Sequence, residues 1–338
     1  LDEADLSFAK ISLARISNAT ITDSNLKNVD LSGIDVNNFI NKCDISSSIN
    51  LISCDLSGRT LIDLDLSNAD LRYSNLQDTI IENVNLNGAD LTGSKLNNSI
   101  LTNVDLSNSI VGEIIIQNST LNGVTFRNVV LDKINFQDSD ISNLDLVDVS
   151  MKDANLSFSK IVNVDMTGAD LTGSNLQYAT IGNTVAKYTN FDKSNLSSII
   201  ITDSDFSKSN LKSAIMENIN FNNVNLKNVD LSGQDLSEEK ITNSDLSWTI
   251  LSKINLEKTD LTNSRFVQAD LQFSNLGSSN LTQADMSEAN LEGAILTKAK
   301  LIQTDFTDAN LSLADLNNAV IQYATMNGAN TLGCEGCP

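Results

Sequence analysis

Ala69-Asp70-Leu71-Arg72-Tyr73 and Ala89-Asp90-Leu91-Thr92-Gly93 are two statements of one five-residue unit: a small residue, a short acid, leucine, then two variable positions. The unit recurs as Ala169-Asp170-Leu171-Thr172-Gly173 and as Ala309-Asn310-Leu311-Ser312-Leu313. Outward from these, every fifth residue between Leu1 and Met326 is Leu, Ile, Val, Met or Phe, except Asn41, Ser46 and Ala186. A period of five fits neither the roughly 3.6 residues of a helix nor the plain alternation of a strand, so short extended segments must alternate with turns at a fixed interval. Each pentad is then one side of a coil, and the chain reads as one repeat solenoid instead of the two or three ordinary domains that 338 residues could otherwise hold.

The position two before the hydrophobe is kept small, as in Ala4, Ala9, Ala14, Ala19 and Ser24 and again in Ala284, Ala289, Ala294 and Ala299. The single proline is Pro338, so nothing inside the chain interrupts a backbone that must pair with its neighbours. The beat stumbles over residues 37–50, where Cys43-Asp44-Ile45 fits one residue early, which predicts a bulge or loop. Over 182–190 the register holds while the pattern weakens. The expected organisation is one continuous repeat over 1–330 with a short tail, 331–338, that carries the Cys334 and Cys337 pair.

These pentads resemble the pentapeptide-repeat family over nearly the whole chain. The resemblance implies an all-β fold, a right-handed quadrilateral β-helix with four pentads per coil. The central hydrophobe and the small residue two before it would point inward, and the other three outward. At 20 residues per coil the chain would form about 16–17 coils, with residues twenty apart stacked at about 4.8 Å. Phe126, Phe206, Phe266 and Phe306 then share one inward column. Ala186 falls in that column one coil before Phe206, where a smaller residue relieves crowding.

The chain carries 43 acidic residues against 22 basic ones, a net charge of −21. Twenty-one of the acids are Asp directly before the central hydrophobe, among them Asp70, Asp105 and Asp230, and the remaining 22 equal the Lys and Arg count. The excess negative charge is thus the repeat's own Asp, a residue whose short side chain bonds to backbone amides at a turn. Such a field repels nucleic acid and favours basic partners, so direct nucleic-acid binding is not expected. By resemblance, some family members act as DNA mimics on type II topoisomerases, which makes gyrase inhibition or protection an alternative function.

There is no histidine, which removes His-based triads, His metal sites and the usual proton shuttle near neutral pH. No phosphate-binding glycine loop is present; glycines such as Gly33, Gly58, Gly88, Gly93, Gly168 and Gly173 end their pentads, where a turn wants positive φ. The reading assigns no catalytic residues, no cofactor and no metal, and expects no enzyme. Four cysteines are too few for a disulfide framework in a chain this long. Cys54 stands at an inward position and reads as a buried structural thiol, while Cys334 and Cys337 form a CxxC able to serve as a disulfide or redox pair. No apolar run reaches the roughly 18 residues of a membrane span, so a soluble protein without membrane insertion is expected. Leu1 stands in mid-repeat with neither an initiator Met nor a signal peptide, as in a fragment or processed product. The compartment, bacterial cytoplasm or outside the cell, is not legible.

Binding surfaces remain. Where Asp or Asn is expected before the hydrophobe, the chain places Ile80, Ile100, Ile110, Ile115 and Val130. Outward aliphatics in neighbouring coils point to a partner surface. Phe158 and Tyr178, twenty residues apart at the last pentad position, would stack on one face. No capping element is recognisable at either end, which favours pairing with a further molecule. The function expected is a non-enzymatic structural or protein-interaction rod, self-associating and head to tail into a fibre, with itself or another protein as partner. An interaction domain of a secreted bacterial effector is a further alternative.

Overall fold

The computed structural model describes residues 43, 45 and 50–338. They fall in two compact units, the first reaching through Thr120 and including Val124–Val129, the second comprising Leu121–Gly123 with Val130–Pro338. The described residues contain no helix and form parallel β-solenoid coils of about 20 residues, about 13 in all. The expectations for the small-residue column from Ala4 to Ser24 and for most of the stumble at 37–50 lie outside the described residues.

In the first unit one side of the coil is a row of three-residue strands, β1 (Thr60–Ile62), β2 (Ile80–Glu82) and β3 (Ile100–Thr102). They pair in parallel with Thr60 opposite Ile80 and Ile80 opposite Ile100. The other three sides are ladders of single bridges: Asp65, Asn85, Asp105 and Thr125; Asp70, Asp90 and Ile110; Asp55, Asn75, Lys95 and Ile115. Each partner lies twenty residues on, so the implied four pentads per coil are present as four ladders. β4 (Thr120–Asn122) straddles the division between the units.

The second unit repeats the plan with β5 (Asp140–Ser142), β6 (Lys160–Val162), β7 (Thr180–Gly182), β8 (Ile200–Thr202), β9 (Asn220–Asn222) and β10 (Lys240–Thr242), then β11 (Lys300–Ile302) and β12 (Val320–Gln322). Where the pattern weakens at 182–190 the ladder is unbroken, since Val185 bridges both Asp165 and Asp205. The ladder also runs past residue 330: Asp315 bridges Glu335, whose carbonyl accepts the Leu316 N–H at 2.7 Å.

Both inward positions are buried as implied, the hydrophobe (Leu71, Leu91, Leu171) and the small residue (Ala69, Ala89, Ala169). Some serines and threonines in the small column satisfy their hydroxyls by donating to a main-chain carbonyl, as Thr79 does to Leu76 at 2.7 Å and Thr189 to Met166 at 2.7 Å, whereas the Ser74, Ser94, Ser109, Ser174, Ser209 and Ser274 hydroxyls are buried without a partner. An unpaired hydroxyl there costs about 1–3 kcal/mol. Phe126, Phe206, Phe266 and Phe306 are all buried, and so is Ala186. Phe191, on the next side of the coil that holds Ala186, stacks on Phe206 with centroids 5.5 Å apart and planes at 21°.

The last position of the pentad is the corner, and there the sequence reading was too narrow. Gly58 and Gly88 do sit at positive φ, 68° and 71°, yet so do Asn68 (57°), Tyr73 (58°) and Phe158 (60°). A single left-handed residue is tolerable at each corner, and Asn and Asp recur because their side chains adopt that region most readily. Cys54 corrects the expectation of a free thiol. It is buried as placed, but it is bonded to Cys43, with Cα atoms 5.8 Å apart. Cys334 and Cys337 are bonded to each other.

Candidate interaction surfaces

Three of five residues face outward, and their chemistry sorts by position. Asp before the hydrophobe folds back over the turn: Asp90 Oδ1 accepts the Thr92 N–H at 3.0 Å and its hydroxyl at 2.6 Å, and Asp165 does the same with Thr167 at 2.9 and 2.6 Å. Asn in the same column then donates across to the preceding coil, as Asn85 does to Asp65 at 2.9 Å and Asn225 to Asp205 at 3.0 Å. Many of these carboxylates also have a cation beside them: Lys152 lies 3.3 Å from Asp170, Lys212 2.8 Å from Asp230, and Arg265 3.4 Å from Asp285. A shallow groove of the second unit, lined by Asn183, Asp203, Asp205, Asn225, Lys227 and Asp245, holds one more such pair, Lys227 with Asp245 at 2.8 Å, and its Asp205 lies 3.2 Å from Lys187.

The acidities follow from this geometry. Burial pushes the Asp245 carboxyl up, but hydrogen bonds from Lys227 and from the Ser247 hydroxyl and N–H together outweigh it and hold the group below its ordinary value. Asp205 behaves alike, with burial opposed by Ser207 and Lys187. The acidic column is therefore consumed in holding turns and neighbouring coils. Among the described residues no cluster of three or more Cys, Asp or Glu could hold a metal ion.

The apolar outward residues divide between sides. Ile80 and Ile100 are paired neighbours on β2 and β3, 41% and 44% exposed, and Ile62 on β1 extends the patch at 45%. Ile110 is exposed on a different ladder, opposite Asp90, and Ile115 is half-buried on a third, opposite Lys95. Val130 belongs to the second unit, exposed and bridged to Ser150. Of the five aliphatics singled out by sequence, the structure thus brings two together, and it adds Ile62, which sequence reading passed over because it stands after the hydrophobe.

Phe158 and Tyr178 stack as expected, with centroids 4.8 Å apart and planes at 18°, each about half exposed. Sequence reading missed two cation–aromatic pairs between neighbouring coils, one at the same twenty-residue spacing and one at twenty-one. Lys208 Nζ lies 5.1 Å from the Tyr188 centroid and donates to its hydroxyl at 3.0 Å, and Lys227 Nζ lies 5.7 Å from the centroid of Trp248.

The pentapeptide-repeat pattern matches residues 1–38, 49–88, 81–111, 150–185, 165–203, 204–238, 240–272, 264–301, 274–312 and 294–330. The chain belongs to the pentapeptide-repeat family. Among solved structures this pentapeptide-repeat protein is similar to HetL from the cyanobacterium Nostoc, at 21% identity over 83% of this chain and 90% of HetL, with a TM-score of 0.17. It is also similar to Rfr23 from the cyanobacterium Cyanothece, at 22% identity over 33% of this chain and 90% of Rfr23, TM-score 0.23. The fluoroquinolone-resistance protein QnrB1 matches at 15% identity over 61% of this chain and 89% of its own, TM-score 0.28. These likenesses concern the fold. A comparison with curated protein sequences gave no match. No helix among the described residues is long and apolar enough to cross a membrane.

Proposed function

We propose that this pentapeptide-repeat protein is a non-catalytic interaction scaffold that associates with a second copy of itself through the outward face of β1–β3. The observation that carries the reading is the register of that face. Thr60, Ile80 and Ile100 stand in register on neighbouring strands, and Ile62 stands opposite Glu82, the one charged residue on the three strands. On a chain with a net charge of −21, two copies repel wherever their carboxylates meet, so self-contact is least costly where charge is nearly absent. β-Branched side chains on a flat parallel ladder also present a surface that an identical one can match.

Three short strands cover much less than the roughly 800 Å² per partner of a standard interface, so the association is weak. Sedimentation equilibrium over a series reaching about 100 µM, the range where contacts of this size become populated, tests it. The average mass should rise with concentration for the wild type and stay at the monomer value for Ile80→Lys/Ile100→Lys. A wild type that stays monomeric, or a double variant that associates equally, overturns the reading. Filaments in negative stain that persist in the double variant would point to end-to-end assembly. Inhibition or protection of gyrase in a supercoiling assay would replace self-association with a topoisomerase-directed role.

A further inference from the structure

The second unit contains one interruption of its ladders, and two side chains fill it. Bridges join Asn190 to Asn210 and Asp230 to Ile250 on one side of the coil, and Asn195 to Ile215 and Asp235 to Asn255 on the next. Between these pairs, from Asn210 to Asp230 and from Ile215 to Asp235, no bridge forms. The strands of the side that follows remain paired there, with Asn220 opposite Lys240. The coils are held together across the gap by side chains. Gln234 Nε2 donates to the Lys212 carbonyl at 2.6 Å and to the Leu211 carbonyl at 3.3 Å. Glu239 Oε1 accepts the Asn218 N–H at 2.7 Å, and its carboxylate also takes the Ile219 N–H.

The cause is legible in the repeat. Gln234 and Glu239 both occupy the inward small-residue position, where the preceding coil has Ala214 and Ile219 and the following one has Ile254 and Thr259. A long polar side chain cannot lie in an apolar core with its head unsatisfied. Each therefore reaches for backbone groups of the preceding coil, Gln234 for carbonyls and Glu239 for N–H groups. One of the two is ionisable.

We infer that Gln234 and Glu239 form a proton-sensitive joint, in which the coil over 211–219 is held loosely to the coil over 230–239 while Glu239 is ionised and tightly once it is protonated. Burial works against charge on Glu239, and the two backbone N–H groups only partly offset it. Asp235 on its own coil and Glu217 on the preceding one also disfavour its charge, so the carboxyl is pushed up from its ordinary value. Adjacent Glu238 is tied to Lys258 at 2.8 Å. A protonated carboxyl keeps an oxygen that accepts an N–H and loses the desolvated charge. A folded-state value above the unfolded one means that this stabilisation is fully present below the ordinary Glu range and is lost as pH rises through the raised value.

Hydrogen exchange on the full chain, expressed as protection factors so that intrinsic pH effects cancel, reads the joint at the Asn218 and Ile219 amides. Protection should increase as pH falls from about 7.5 to the ordinary Glu value of about 4.5, because the Glu239 carboxyl is pushed up from that value. In Glu239→Gln, an uncharged isostere that retains an acceptor, protection should be high and independent of pH, whereas Glu238→Gln should keep the wild-type rise. Flat protection in the wild type, or an unchanged rise in Glu239→Gln, overturns the inference. The Ile80→Lys/Ile100→Lys variant should leave this behaviour intact, so the joint and the self-association reading fail or stand separately.

Discussion

Ala186→Leu should destabilise the second unit, although leucine is the commonest residue at the fivefold beat. Its column reads Leu146, Met166, Ala186, Phe206 and Leu226, all buried. An empty space at 186 would reward a leucine, since three added carbons at about 0.8 kcal/mol each give roughly 2 kcal/mol of burial. The Phe191 ring, on the next side of the same coil, stacks 5.5 Å from Phe206, and the competing account is that it takes up this space from the side. Forcing extra carbons into a filled core costs about 1–3 kcal/mol, so the two accounts predict opposite signs. Urea unfolding followed by Trp248 fluorescence gives the midpoint, and exchange protection of the Phe191 and Phe206 amides localises the effect, because a repeat array need not unfold in two states. Adding Phe206→Leu to Ala186→Leu should recover at least half of the loss, as expected of residues that share one space. A stabilised single variant, or a double variant that loses the sum of the two singles, would refute the packing argument.

Acid should weaken the fold in a definite window. Asp105, Asp170, Asp205, Asp230 and Asp245 are buried enough to be pushed up, yet hydrogen bonds hold each below its ordinary value. A depressed folded-state value means stability that is present above the unfolded value of about 4 and lost as pH falls through the folded one. Circular dichroism melts should therefore show a falling midpoint below about pH 4, and a midpoint unchanged down to about pH 2 would contradict the turn-holding role of these Asp residues. At a corner, Gly93→Ala should cost about 1 kcal/mol, because φ is 68° and the new Cβ would come 2.7 Å from the Tyr73 ring. Tyr73→Ala in the same chain should remove the steric part of that loss in thermal melts and leave the backbone part.

What was legible followed from periodicity. The five-residue beat and the resemblance it carries placed Leu71 and Ala69 inside, Ile80 above Thr60, and Phe158 within stacking distance of Tyr178, because twenty residues return the chain to the same side. Asp before the hydrophobe was read as a turn residue, and its bond to the amide two positions on is seen at Asp90 and Asp165. The misses depend on particular side chains. Cys54 was placed correctly but given no partner, since Cys43 falls where the five-residue beat of the sequence stumbles and the period assigns it no position. Gln234 and Glu239 were passed over in the small-residue column, and what they do depends on how far each side chain reaches into the preceding coil.

The sequence by itself determined the coil: a residue type repeated every five positions is surrounded by its own kind twenty positions away, so inside and outside are decided locally and then copied. Tertiary structure alone decided which exceptions meet. Phe191 stacks on Phe206, Lys227 lies over Trp248, Cys43 is bonded to Cys54, and two polar side chains replace a stretch of backbone ladder. Exceptions do not repeat, so their partners are set by side-chain length, burial and charge at one place, and these act only once the coils are stacked.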